Sequence, residues 1–359
     1  MSAGPAANWP TPLAALAAAL SPAQAPVALD LSPGQWQGLA DLAIDRHRVA
    51  PVLAPHLAAL AAPPDVRSRI LAEAQANAAQ VLGHMAVTRE ILTRCQARGI
   101  APALLKGWPL AQDLYGAPGN RHARDLDILV APGDVPGAAE VLAGLGFHPA
   151  PVYRLRGRLI GTRALTEECY DLEFHHPDGV AVELHWRTNH LRGWPDLLAC
   201  PGMLHEQESE IGPLRVPTDR GNLIYLSGHG GMHVWVRLKW LVDIARLAGR
   251  RGAAALAEDL AQARALNVAR PVALALRLSA QIFGTPLPEG TRAQPRLERH
   301  LLRVIADPAA APGGLRYKML THLAPVRMAE TAGQAAGILR YATWRRLRLG
   351  AAALRKGRR

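Results

Sequence analysis

Three cysteines, Cys95, Cys169 and Cys200, are all the chain has in 359 residues, and no two of them form a CxxC pair. An odd, widely spaced set excludes a disulfide framework and a cysteine-rich zinc site, and it fits a reducing cytoplasm. Aromatic residues are scarce, at 5%, which leaves little material for a base-stacking platform of the single-strand-binding type. No stretch reaches about eighteen uninterrupted apolar residues, so no membrane-spanning helix is expected. The opening "MSAGPAANWPTPLAALAAAL" carries no basic segment ahead of its alanine run, and no secretory signal is expected either. GxxxxGK[ST] is missing, which argues against a P-loop NTPase, and no GxGxxG follows a strand.

Acidic residues are missing from one place in particular. Residues 340–359 hold eight Lys/Arg and no acid, which leaves 33 basic against 29 acidic side chains over residues 1–339. The net charge of +12 is therefore largely a property of the tail. The tail reads as a solvated, helix-prone end, with nucleic acid, anionic lipid or an acidic protein as the alternative partners.

What remains is an ordinary soluble composition, 49% hydrophobic and 19% charged, in a chain long enough for two or three units. Residues 1–99 read as an N-terminal helical region, rich in Ala and Leu, with breaks at "SPAQAP" and "AAPPDV". Its longest helix is ended by Gly99. From Ile100 the texture turns to short apolar strands: "IAPALL", "DLDILVA", "CYDLEFHH" and "VAVELHW", with a helix from Asp134 to Leu145 closed by Gly146. "PVYRLRG" and "RLIGTRAL" read as a hairpin, and Pro177-Asp178-Gly179 as a turn. Residues 100–200 thus form a small mixed-sheet core, residues 201–339 a C-terminal helical domain, and residues 340–359 the basic tail. The fold class is α+β, a small mixed β-sheet flanked by N-terminal and C-terminal helical regions. "NLIYLSGHGGMHVWVRLKWLVDIARLAG" is expected to be one long or kinked helix.

Two stretches carry chemistry. In "RDLDILV", strand alternation points Asp125 and Asp127 to one face and Leu126 and Ile128 to the other. Adjacent carboxylates repel unless a cation bridges them, and oxygen ligands of this kind suit Mg²⁺, with Mn²⁺ as the alternative. In "LLKGWPL", Lys106-Gly107 interrupts a strand where a helix begins. Gly107 lets the backbone approach a phosphate, the helix start offers N–H groups, and Lys106 adds a charge. The third carboxylate of a metal site falls to Glu183 in "VAVELHW", which shares a strand face with His185; Asp171 and Glu173 are its rivals. Trp108 reads as a core residue.

Strand–Lys-Gly–helix, Arg-x-x-x-Asp-Leu-Asp-Ile-Leu-Val, Val-Glu-Leu-His-Trp and "HGGMHVWVRLKWLVDIARL" together resemble the large bacterial family of uncharacterised nucleotidyltransferases within the polymerase-β superfamily. The resemblance covers roughly residues 35–345. It implies a nucleotidyltransferase core and a Mg²⁺-dependent transfer from an NTP, ATP first, to a hydroxyl on a small molecule or peptide; nucleic acid is less favoured. Asp125 and Asp127 match the metal-binding pair, and Glu183 matches the third acid, as general base or metal ligand. Arg121 matches the arginine ahead of the pair. Lys106-Gly107 stands where the superfamily has Gly-Ser at the nucleotide phosphates. A phosphoryl-transferring relative and a non-catalytic, antitoxin-like module are the alternatives.

His229-x-x-x-His233 puts two imidazoles on one helix face, but Gly230 replaces the glutamate of HExxH and argues against a zinc protease. The face formed by His229, His233 and Lys239 reads as contacting nucleotide or acceptor, with packing histidines as the other reading. Asp243, further along, is placed to orient one of them or to close a salt bridge.

Overall fold

The computed structural model describes residues 9–151, 154–155, 158–159, 169–189, 194–312, 314–340, 343 and 347. The chain divides into two compact units, each assembled from three separate segments. A helical unit comprises Met1–Ala79, Ala111–His122 and Leu223–Glu330; a sheet unit comprises Gln80–Leu110, Ala123–Asn222 and Thr331–Arg359. Helices and a small mixed sheet together make the α+β class expected from the sequence. No helix among the described residues is long and apolar enough to cross a membrane.

The strands are β1 (Ala103–Leu104), β2 (Asp125–Leu129), β3 (His148–Pro149), β4 (Arg154–Leu155), β5 (Arg158–Leu159), β6 (Asp171–His175), β7 (Ala181–His185), β8 (Leu204–Gln207) and β9 (Leu214–Pro217). The main sheet runs β1-β2-β7-β6-β3. β2 and β7 are parallel, and the other pairs are antiparallel. β1 is shorter than "IAPALL" implies. Pro102 has no N–H to give to the ladder, so pairing begins after it. β4 and β5 pair as two residues each; the rest of the hairpin expected over "PVYRLRG" and "RLIGTRAL" lies outside the described residues.

Alternation sorts the sheet. Leu126 and Ile128 of β2 enter one core with Val182 and Leu184 of β7 and Leu172 and Phe174 of β6. Helix Val135–Gly144 supplies Val135, Ala138, Val141 and Leu142 to that core, and the second half of helix Pro64–Gln96 supplies Val81, Met85, Ile91 and Cys95. Each buried Val, Leu, Ile, Phe or Met side chain among them contributes about 1.5–3 kcal/mol. The odd-numbered residues of β2 and β7 are thereby forced onto the opposite face. Trp108 joins the apolar side: it is fully buried, and its indole N–H donates to Thr88 Oγ1 at 3.3 Å.

In the helical unit, Ser32 and Gln35 form a reciprocal cap at the start of helix Pro33–Asp41. The stretch expected as one long or kinked helix over 222–249 breaks fully into two, Asp219–Met232 and Leu238–Ala265. Between them Val234 (φ 51°) and Trp235 (φ 45°) leave the helical region, and the Trp235 N–H donates to the Gly230 carbonyl at 2.9 Å. The break lets the chain fold the buried Trp235 indole back over Gly230, where any Cβ would collide with the ring.

Candidate active site

Gly107 has φ +82°, a left-handed value that favours glycine over residues bearing a Cβ. The turn it makes carries the chain from β1 into helix Trp108–Tyr115. Lys106, just before it, reaches over β2: its Nζ lies 2.9 Å from Asp127 Oδ1 and 3.9 Å from Asp125 Oδ1. One ammonium touching both carboxylates confirms that the two aspartates share a face. They differ in depth, since the Asp127 side chain is 0% exposed and that of Asp125 is 34%.

β7 brings the next groups. The parallel register sets Glu183 against Asp127 and His185 against Leu129. His185 Nε2 stands 3.1 Å from Asp127 Oδ1 and 3.3 Å from Glu183 Oε2. Asp127, Glu183 and His185 each offer a ligand atom within 4.8 Å of the others. Glu173 and Asp171 are register partners of Glu183 and His185 on β6, so both rivals sit one strand further out on the same face. Asp125 joins the group through Lys106.

Electrostatics bind this cluster. Burial depresses the His185 pKa, but the hydrogen bonds and charges of Asp127 and Glu183 outweigh it and push the imidazole up to about 10. At neutral pH it is an imidazolium donating to carboxylates. Burial raises Glu183, yet the Lys106 ammonium and the His185 hydrogen bond overcome that and hold its carboxyl below the ordinary value. One atom is left over: Asp127 Oδ2 is buried and has no hydrogen-bond partner among the described residues. An acceptor in that position is costly to leave bare. Together with the carboxylates of Asp125 and Glu183, it makes a set of hard oxygens suited to a divalent cation.

The other residues singled out by sequence belong to the helical unit. Arg121 is buried, and its Nε and Nη2 donate to Asp243 Oδ1 and Oδ2 at 2.9 and 2.8 Å. The Tyr115 hydroxyl also donates to Asp243 Oδ1, at 2.7 Å. Asp243 therefore closes a salt bridge, one of the two roles open to it. His229 and His233 have ring centroids 4.9 Å apart. His233 stacks on Trp240 at 5.0 Å, and its Nδ1 lies 2.6 Å from the Tyr317 hydroxyl. Lys239 Nζ donates to the His122 carbonyl at 3.5 Å.

Two neighbours escaped the sequence reading. His84, on helix Pro64–Gln96, is fully buried, with neither ring nitrogen hydrogen-bonded among the described residues; burial lowers its pKa and the Asp125 carboxylate partly opposes the shift. Tyr170 lies against the His185 ring at 5.9 Å. A single histidine in a long helix and a tyrosine before a strand carry no spacing signal that could have marked them.

The family model for uncharacterised nucleotidyltransferases matches residues 32–284. No curated protein matches the chain. Among solved structures, the antibiotic-resistance factor ANT(2'')-Ia, described in solution with substrate-regulated conformational dynamics, is similar at 14% identity. That likeness covers 51% of this chain and 92% of that one, with a TM-score of 0.38. An antigenic nucleotidyltransferase-like protein from Paracoccidioides brasiliensis is similar at 14% identity over 57% of this chain and 93% of its own, with a TM-score of 0.34. With its metal-type acidic cluster on the sheet and a family match spanning well over half its length, the chain belongs to the uncharacterised nucleotidyltransferase family.

Proposed function

We propose that the chain moves a nucleotidyl group from an NTP, ATP in the first instance, to a hydroxyl on a small-molecule or peptide acceptor. Mg²⁺, or Mn²⁺, is held by Asp125, Asp127 and Glu183. The observation that carries this reading is the buried Asp127 Oδ2, bare among the described residues, on a carboxylate that clusters with Glu183 and whose other oxygen lies 2.9 Å from the Lys106 ammonium. A bound divalent cation supplies Lewis-acid stabilisation of phosphate charge and makes the acceptor hydroxyl easier to deprotonate.

The protein's own groups then have separate tasks. Glu183 is the more accessible of the two clustered carboxylates, 29% against 0% exposed, and it is ionised at neutral pH. It accepts the proton of the acceptor hydroxyl. His185 orients both carboxylates through its shared N–H. Lys106 exchanges part of its contact with the aspartates for the triphosphate, and the N–H groups opening helix Trp108–Tyr115 face the same anion. The acceptor oxygen bonds to the α-phosphorus, the bond to the bridging oxygen breaks, and pyrophosphate leaves with the electron pair. Arg121, bound to Asp243, braces the segment that leads into β2.

ATP labelled at the α- or the γ-phosphate, incubated with Mg²⁺ and a panel of acceptors, tests the reading. The α-label is expected in the product, and Asp127→Asn is expected to lower turnover by about 10²–10³-fold. The γ-label in the product would indicate phosphoryl transfer instead. No labelled product with any NTP, together with no metal-dependent nucleotide binding by calorimetry, would leave only a non-catalytic module.

A further inference from the structure

The helical unit contains a cavity of about 300 Å³ that the transferase reading does not use. Its floor is apolar, formed by Leu260 and the alanines that open helix Ala269–Phe283. Its polar lining is Arg264, Arg270, Arg292, Gln294 and Glu330. Three guanidiniums and one carboxylate leave that lining positive by two charges.

The groups differ in how they are held. The Arg270 guanidinium donates to the Ala329 and Arg327 carbonyls at 2.7 and 3.1 Å, and its backbone N–H donates to Glu330 Oε1. Arg264 Nη2 donates to the Gly290 carbonyl at 3.2 Å. These bonds occupy some of the guanidinium N–H groups and fix the orientation of the rest. The exposed Arg292 side chain has no hydrogen bond or ion pair among the described residues. Gln294 lines the cavity, and its amide nitrogen is buried with no hydrogen-bond partner among the described residues, although its backbone N–H is tied to Glu298 Oε1 at 2.6 Å. A buried donor left bare beside a surplus of positive charge calls for an anionic acceptor.

We propose that this cavity binds a small phosphate monoester. Guanidinium forks match phosphate oxygens. A monoester carries close to two negative charges at neutral pH, which balances the lining, and the apolar floor receives its organic part. The volume sits at the lower end of small-molecule sites, about 300–1,000 Å³. The proposal rests on residues of the helical unit alone and does not depend on the transferase reading.

Calorimetry of the full-length protein with ribose 5-phosphate tests it, with ribose and succinate as neutral and dicarboxylate controls. Ribose 5-phosphate is expected to bind with a dissociation constant below about 1 mM, ribose not to bind, and succinate to bind more weakly. Arg292→Glu, at an exposed position, should weaken binding by about tenfold or more with an unchanged thermal midpoint. The near-isosteric Gln294→Met should weaken it without reversing the local charge. Binding untouched by both variants overturns the proposal, as does binding lost only in Lys106→Met, which would place the phosphate in the sheet unit. No binding at several millimolar, or succinate binding as tightly, overturns it too.

Discussion

The Lys106 ammonium lies 2.9 Å from Asp127 Oδ1, and its side chain is only 9% exposed. The residue before the glycine turn is thus bound to the carboxylate proposed as a metal ligand. Two cations, Lys106 and the His185 imidazolium, pair with three acids on one face of the sheet and leave one negative charge unbalanced. Whatever binds there competes with them.

Lys106→Met removes one competitor. The metal concentration giving half-maximal turnover should fall, because Asp127 no longer shares its oxygen with an ammonium. KM for the NTP should rise about tenfold, the loss of one charge-assisted contact of roughly 1.5 kcal/mol. A steady-state titration of Mg²⁺ and ATP reads both. If neither parameter moved, Lys106 would be a structural ion pair.

Gly107→Ala tests the turn. A Cβ there would meet the Asp125 carbonyl at 3.7 Å, an ordinary contact, so the penalty is conformational. Holding alanine at positive φ costs about 1–2 kcal/mol. Urea unfolding should register a loss of that size, with turnover lowered because the turn sets the reach of Lys106. A stability equal to wild type would mean that the turn relaxes freely.

Arg121 and Asp243 form a buried, two-pronged pair, with side chains 3% and 0% exposed. Arg121→Met leaves the Asp243 charge uncompensated and should cost about 3–5 kcal/mol in chemical denaturation. Adding Asp243→Leu should recover much of the loss. Turnover recovering in the double variant assigns Arg121 a bracing role; turnover staying low in a restored fold assigns it to phosphate.

His122 gives a pH signature outside the acidic cluster. Burial first, then the charges of Lys239, Arg48, Arg121 and Arg237, push its pKa down to about 2. Above its unfolded value of about 6.5 the imidazole is neutral in both states and costs nothing. As pH falls from there towards 2, the unfolded chain takes up a proton that the fold refuses, and stability declines, by about 2 kcal/mol at pH 5 from this group. His122→Gln should flatten that part of the stability-against-pH curve; an unchanged slope would show that other groups set it.

Local rules made several features legible before any coordinates. Period-two alternation in Asp125-Leu126-Asp127-Ile128 placed two carboxylates on one face and two aliphatics on the other, and the core confirms the division. Glycine between strand and helix marked a place for close backbone approach, and the structure adds that Gly107 holds a left-handed φ. Pro102 and the Val234–Trp235 break were less visible. The first shortened a strand that hydropathy had extended, and the second cut a helix whose apolar period runs straight through it.

Sequence by itself thus determined which side chains share a face, because that depends on neighbours one to four residues away along the chain. Only tertiary structure decided which faces meet. The parallel pairing of β2 with β7 sets Asp127 against Glu183 across 56 residues of chain, and no periodicity encodes that register. The same holds for Arg121, whose partner Asp243 lies 122 residues on, and for the arginine-lined cavity built from four separate segments of the helical unit. Such contacts arise from burying the apolar faces together, after which each charge must find its counter-charge among whatever the packing has brought near.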